Sequence, residues 1–237
     1  MRVVRIASQV AAIILVIVGT GCSSSDLDTT HESPGMPPDP ARRAVRIETT
    51  GCGFAPDRTG SGVAVGDGLV LTVAHLVVRA DGLSASIGST AAVDAVVAAV
   101  DLKLDLALLR LPPNEVSVIE MSSAGIGDRG MIMNGAASGT VPFKIKDVVS
   151  LSIEEILGSE RHSRLGYELE ASTATGDSGA GAYNGEGKLI GVVFATSEDG
   201  HSSWITSSVE IDEFLVAHGS DPASIGCDQS ESRLDLP

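Results

Sequence analysis

From Ala44 onward the chain is a succession of short apolar runs, each closed by glycine, with no amphipathic helices alternating between them. The runs are Val45–Ile47, Gly62–Val65, Leu69–Val73, Leu83–Ile87, Val93–Val100, Leu106–Leu111, Gly130–Met133, Tyr167–Glu170, Gly181–Tyr183, Leu189–Phe194 and Ser203–Ile205. Runs of this length bounded by turn residues read as strands. A parallel sheet needs long crossovers, usually helical, and none is visible, so the pattern points to an all-β protein, a barrel pair or a sandwich. Aromatic residues make up only 3% of the chain, so the core must be built from Val, Ile, Leu and Ala. The clearest helix comes last. Ser207 followed by Glu210 forms a capping box, Ile211, Phe214 and Leu215 form an apolar stripe, and Gly219 supplies a stop. A short helical turn is also expected over Ser152–Gly158.

Sixteen basic residues against thirty-one acidic ones give a formal charge of −15, a surface that repels phosphate backbones and excludes nucleic acid as a partner. Three cysteines are too few for a zinc cluster or a disulfide-dense miniprotein, and no metal or cofactor is expected. The N-terminus sets Arg2 and Arg5 before the apolar run Val10–Val18, which is long enough for a signal peptide and too short to span a membrane. The following Gly19-Thr20-Gly21-Cys22 resembles the bacterial lipobox, although that pattern prefers Leu, Val or Ile where Gly19 stands. The resemblance implies removal of residues 1–21, acylation of Cys22, and a lipid anchor on the outer face of the cell membrane. Without acylation the chain would be secreted. Residues 22–43 carry Pro34, Pro37, Pro38, Pro40 and His31 without apolar periodicity and read as an extended tether. In an exported chain the two remaining cysteines, Cys52 and Cys227, are expected to pair, the latter in a C-terminal tail over 221–237.

The most specific feature is Gly176-Asp177-Ser178-Gly179. Glycines flanking a serine permit a tight turn that exposes the hydroxyl and gathers backbone N–H groups in one cavity. A serine nucleophile needs a base, and the base needs an orienting carboxylate. Leu69-Val70-Leu71-Thr72-Val73-Ala74-His75 ends an apolar strand on a histidine, and Asp105-Leu106-Ala107-Leu108-Leu109 opens another with a carboxylate. Asp94 and Asp101 lack that apolar tetrad, and His162, His201 and His218 lack the strand-end setting.

At these points, and at Gly60-Ser61-Gly62, residues 44–220 resemble the chymotrypsin-like (trypsin-like) serine peptidases, in that family's chain order His, Asp, Ser. The resemblance implies two six-stranded antiparallel Greek-key barrels, about 44–121 and 122–206, and a closing helix at about 207–218. It implies a serine endopeptidase acting on peptides or proteins, with Ser178 as nucleophile, His75 as general base and Asp105 as its orienting partner. The N–H groups of Gly176 and Ser178 would form the oxyanion hole. Counting back from the nucleophile places Ser172 at the base of the specificity pocket, with Phe194-Ala195-Thr196 as the substrate-pairing wall and a neutral, small-to-medium preference; Glu170 is the alternative acidic determinant. The family's zymogen start is missing, so Asp177 needs another partner, Arg129 or a set of backbone donors. A catalytically silent, peptide-binding pseudoprotease of the same fold is the competing reading. The oligomeric state is not readable.

Overall fold

The computed structural model describes residues 39–218 apart from 115, 138, 155 and 157–159. The export signal, Cys22, most of the tether, Gly219 and Cys227 therefore lie outside the described residues. Cys52 is disulfide-bonded. Among the described residues no helix is long and apolar enough to cross a membrane.

After a short 3₁₀ turn at Pro40–Arg43, the first half of the chain gives β1 (Ala44–Gly51), β2 (Arg58–Gly66), β3 (Leu69–Thr72), the one-turn helix α1 (Ala74–Val77), β4 (Ala80–Ile87), β5 (Val93–Asp94), β6 (Val96–Asp101) and β7 (Leu106–Arg110). The strands form an antiparallel sheet in the order β5-β4-β1-β2-β3-β7-β6. β2 and β3 are joined by Asp67-Gly68, both at positive φ (53° and 72°), the backbone of a primed two-residue hairpin turn. The two edge strands, β5 and β6, are separated only by Ala95, whose N–H bonds to the Leu83 carbonyl. One segment thus lies against both edges and wraps the sheet on itself. Read in sequence as a single strand, Val93–Val100 is bent into two.

The second half contributes β8 (Arg129–Asn134), β9 (Gly139–Glu154), β10 (Arg161–Glu170), β11 (Gly181–Asn184), β12 (Leu189–Thr196), β13 (Ser202–Ser207) and the helix α2 (Ser208–His218). Its six strands form a closed barrel in the order β10-β13-β12-β11-β8-β9. The helical turn expected over Ser152–Gly158 is not formed at its start, because Ser152–Glu154 continue β9 against Arg161–Ser163 of β10. A long hairpin satisfies those backbone groups in a ladder, which a single isolated helical turn cannot do. The expected helix is present. Ser207 Oγ accepts the Glu210 N–H at 3.5 Å, but the Glu210 carboxylate turns away to accept the Leu165 N–H at 2.7 Å, so the capping box is only half made.

β7 explains the apolar tetrad after Asp105. Leu106 and Leu108 face Val63, Leu71, Tyr183, Leu189, Ile211 and Phe214 in the cluster between the sheets and α2. Ala107 and Leu109 face Val45, Ile47, Val70 and Ala85 inside the first sheet. A strand covered on both faces must be apolar at every position. The second barrel has its own interior of Ile132, Phe143, Ile145, Leu169, Ile190, Val193 and Ile205.

The connection leaving β7 is fastened at Leu111 and again over Ser117–Ile119. Leu111 donates to the Gly68 carbonyl and Ile119 to that of Val65. Arg43 is only 4% exposed. Its guanidinium donates to the carbonyls of Ala64 (3.1 Å), Ser117 (2.7 Å) and Val118 (3.5 Å) and to Ser117 Oγ (2.9 Å), so a buried cation is satisfied by main-chain acceptors.

Candidate active site

His75 and Asp105 lie at the same end of the antiparallel pair β3–β7, one just after β3 and the other just before β7. His75 is the second residue of α1, which begins directly after β3. The N-cap residue of that turn, Val73, offers no side-chain acceptor. Asp105, just before β7, supplies one instead: its Oδ1 accepts the His75 N–H at 2.9 Å while its Oδ2 lies 2.8 Å from His75 Nδ1. The Asp105 carbonyl also accepts the Ala74 N–H at 3.2 Å. Asp105 holds φ at 52°, a left-handed conformation that aspartate tolerates better than most side chains, and is 3% exposed. A buried carboxylate with both oxygens engaged fixes the imidazole ring and keeps its proton on Nδ1, leaving Nε2 free as a base.

Ser178 sits on a turn between β10 and β11 held from several sides. The Asp177 N–H donates to the Ala174 carbonyl (3.0 Å), the Ala180 N–H to that of Asp177 (2.8 Å), and the Gly179 N–H to that of Val193 (2.7 Å). Gly176 and Gly179 have φ of 100° and 86°. A Cβ on Gly179 would stand 2.0 Å from the Ser61 carbonyl oxygen, so only glycine fits. Among the described residues, neither the Gly176 N–H, the Ser178 N–H nor Ser178 Oγ has a hydrogen-bond partner. These donors flank the serine, where an oxygen bearing developing charge can be received.

His75, Gly176 and Ser178 line one cavity of about 630 Å³, together with Phe194, Ala195 and Thr196 on one side and Asp57, Arg58 and Thr59 on another. Ser172, expected at the pocket base, is exposed and does not line this cavity; Glu170 is exposed as well. Buried Thr173 lies behind the wall instead, its hydroxyl in contact with that of Thr196 and 2.7 Å from Ser203 Oγ. Arg129 is exposed and makes no pair with Asp177. Asp177 Oδ2 accepts the Ala174 N–H at 2.8 Å, and Oδ1 is buried with no hydrogen-bond partner among the described residues. Burial raises the Asp177 pKa, partly opposed by the Ala174 N–H. Among the described residues no group of His, Cys, Asp and Glu gathers to hold a metal ion.

Three supporting residues act through contacts that no sequence pattern records, although Ser61 itself falls in the Gly60-Ser61-Gly62 stretch. Arg58 donates to the carbonyls of His75 (2.8 Å) and Val78 (3.1 Å), bracing the C-terminal end of α1. Arg164, 2% exposed, donates to the Leu104 carbonyl, next to Asp105, and its guanidinium lies 3.7 Å from the Phe194 ring centroid. Burial lowers the Arg164 pKa to about 10, so the group remains a cation at neutral pH. Ser61 contacts the turn of the nucleophile. A lone serine or arginine in a strand reads as an outward-facing polar residue, and only the paired geometry reveals the role.

Such a site, set between a wrapped sheet and a closed barrel, is that of a trypsin-like peptidase domain, and the chain belongs to that family over residues 60–192. It is similar to the serine protease HTRA4 of Homo sapiens, 29% identical over 181 residues, covering 71% of this chain and 36% of that protein. It is similar also to the serine protease Rv3671c of Mycobacterium tuberculosis, 27% identical over 172 residues, covering 70% of this chain and 40% of that one. The chain thus spans less than half the length of these curated relatives. In fold it matches the crystal structure of the Rv3671c protease in its active form, with a TM-score of 0.71 at 24% identity over 79% of this chain and 86% of that one. It also matches the HtrA-type protease AlgW with a tripeptide, with a TM-score of 0.64 at 20% identity over 76% and 62% of the two chains.

Proposed function

We propose that the protein is an exported serine endopeptidase working through an acyl-enzyme. The observation that carries this reading is the doubly anchored His75–Asp105 pair opening on the same cavity as Ser178 and two unengaged N–H groups. Ser178 Oγ attacks the scissile carbonyl carbon while His75 Nε2 takes its proton. The carbonyl oxygen, now negative, is received by the N–H groups of Gly176 and Ser178. His75 then returns the proton to the leaving amine, the C–N bond breaks, and water repeats the sequence to release the acid. Asp105 stabilises the imidazolium between these steps. Phe194-Ala195-Thr196 pairs with the substrate, and the hydroxyl network behind it keeps the neighbouring pocket neutral. A Lys or Arg head there would lose water without gaining a counter-charge, so cleavage should follow a neutral, small-to-medium apolar residue.

Acylation at Cys22, a tether to residue 43 and a Cys52–Cys227 bond complete the reading. On this reading the enzyme is held at the outer face of the cell membrane and acts on peptide or protein substrates. The test is a fluorophosphonate probe, which reacts only with an activated serine. Wild-type ectodomain should label and hydrolyse a peptide substrate, and Ser178→Ala should do neither, with turnover down on the order of 10⁶-fold. An unlabelled wild type would instead support the peptide-binding pseudoprotease.

A further inference from the structure

We propose that Ser61 is the positioning residue that keeps the N–H groups of the nucleophile turn aimed at the substrate, acting through the carbonyl of Gly176; this rests on the peptidase reading above. Ser61 lies in β2 of the first sheet and is fully buried. It holds the turn at both ends. Its backbone N–H donates to the Ser178 carbonyl at 2.8 Å, and its hydroxyl donates to the Gly176 carbonyl at 2.7 Å.

The direction of the hydroxyl bond follows from counting its neighbours. A serine hydroxyl has one proton and two lone pairs. The N–H groups of Gly135 and Ala136, each 3.2 Å away, point at Ser61 Oγ and occupy its acceptor sites. Asn134 Oδ1 is 3.3 Å away and already takes the Ala137 N–H at 2.7 Å. The single proton therefore goes to the nearer acceptor, Gly176 O. Two backbone donors behind the oxygen polarise it and fix its aim.

That peptide is held at both of its polar groups: the Asp177 N–H by the Ala174 carbonyl at 3.0 Å, and the Gly176 carbonyl by the Ser61 hydroxyl. Gly176 has no side chain and a φ of 100°, and a Cβ added there would meet only the Ala136 methyl, at 3.3 Å. Sterics add little restraint on the Gly176 side, so the carbonyl end of the Gly176–Asp177 plane depends on the Ser61 bond and its N–H end on Ala174. The N–H groups of Gly176 and Ser178 belong to the two adjoining peptides, and with the carbonyl between them drawn inward to Ser61 no oxygen of this turn competes for them. Released, that carbonyl could swing toward the cavity and oppose an oxyanion with a negative dipole. The bond matters for the transition state, when the substrate oxygen carries charge, and much less for the neutral substrate.

The test compares Ser61→Ala with wild type on one peptide sequence in three forms: as a substrate, as an aldehyde that forms a tetrahedral oxyanion adduct, and as a neutral, uncleaved C-terminal amide. In Ser61→Ala, kcat and aldehyde affinity should both fall by about 10²-fold, the cost of a modest misplacement. KM and amide affinity should stay within about threefold, since a neutral ground state draws little on the oxyanion donors. Ser208→Ala is the control. It also deletes a buried hydroxyl, one that donates to the Ser122 carbonyl at 2.8 Å, and should lower the melting temperature while leaving kcat unchanged. If Ser61→Ala does not fold, Ser61→Cys carries the same comparison, its weak S–H donor giving a smaller loss in the same ratio. Unchanged kcat and aldehyde affinity in the folded variant, or a loss confined to KM, would overturn the proposal. A wild type that neither labels with fluorophosphonate nor cleaves overturns the peptidase reading itself, and that failure appears before any Ser61 variant is made.

Discussion

Replacing Asp105 by asparagine should abolish turnover while leaving the fold intact, and the structure dictates why. Asparagine is nearly isosteric and, like aspartate, tolerates the left-handed backbone that residue 105 adopts at φ 52°. The His75 N–H, 2.9 Å from Oδ1, still needs an acceptor. Only the amide oxygen can provide it, because the flipped amide would set NH₂ against N–H. The amide nitrogen is then forced opposite His75 Nδ1, at the 2.8 Å position now held by Oδ2. It donates, so Nδ1 must be unprotonated and the ring proton moves to Nε2. A histidine in that tautomer cannot accept the serine proton, and the imidazolium also loses its counter-charge. The expected loss is about 10⁴-fold in kcat, or roughly 5.4 kcal/mol at 1.36 kcal/mol per decade. The assay is steady-state hydrolysis of a fluorogenic peptide, with thermal melting to show that the fold survives. An Asp105→Asn enzyme within tenfold of wild type at neutral pH would refute the tautomer argument and the role given to Asp105.

Leu108→Ala, at a fully buried position between the sheets, should lower unfolding free energy by about 2–5 kcal/mol in urea titrations, with no change in m-value. Asp177 has a raised pKa in the folded state, so it binds its proton more readily folded than unfolded. Stability from this group is therefore full below the ordinary value of 3.8 and is lost as pH rises through the folded pKa. Melting of wild type relative to Asp177→Asn should thus improve as pH falls from 7, and the opposite slope would contradict the assignment. Peptide mapping without reductant should recover a Cys52–Cys227 pair, and Cys22→Ala should move the protein out of the membrane fraction. A peptide-library profile led by Lys or Arg before the cut bond would overturn the neutral-pocket reading.

The sequence made His75, Asp105 and Ser178 legible because each lies beside an apolar strand or glycine turn whose pattern is local. The strands themselves could be read for the same reason, down to β7, whose unbroken apolar run reported burial on both faces. β9 escaped because its residues alternate only loosely and include Pro142, leaving half of them exposed. The supports of the site were unreadable for a different reason. Arg58, Arg164 and Ser61 each act through backbone carbonyls distant in sequence, and a carbonyl carries no residue identity for a pattern to register. Of the two partners expected for Asp177, Arg129 offered a charge but does not reach it, and the carboxylate takes a backbone donor instead, the Ala174 N–H of its own turn. Ser172 was placed by counting along the chain, and counting does not reveal which way a loop faces.

The buried Arg43 bears on how long such a protein survives among its own kind. To be hydrolysed, a segment must enter another active site as an extended strand with its carbonyls and N–H groups free to pair. The stretch joining the two sheets is the natural place for a damaging cut, and Val118 within it is 68% exposed. Yet the carbonyls of Ser117 and Val118 are held by the Arg43 guanidinium, and Ile119 is tied to Val65. Freeing three or four residues there would leave the buried guanidinium with only the Ala64 carbonyl as acceptor, a larger penalty than fraying an ordinary loop. The seam between the halves is visible to a passing protease but poorly suited to being taken up as its substrate.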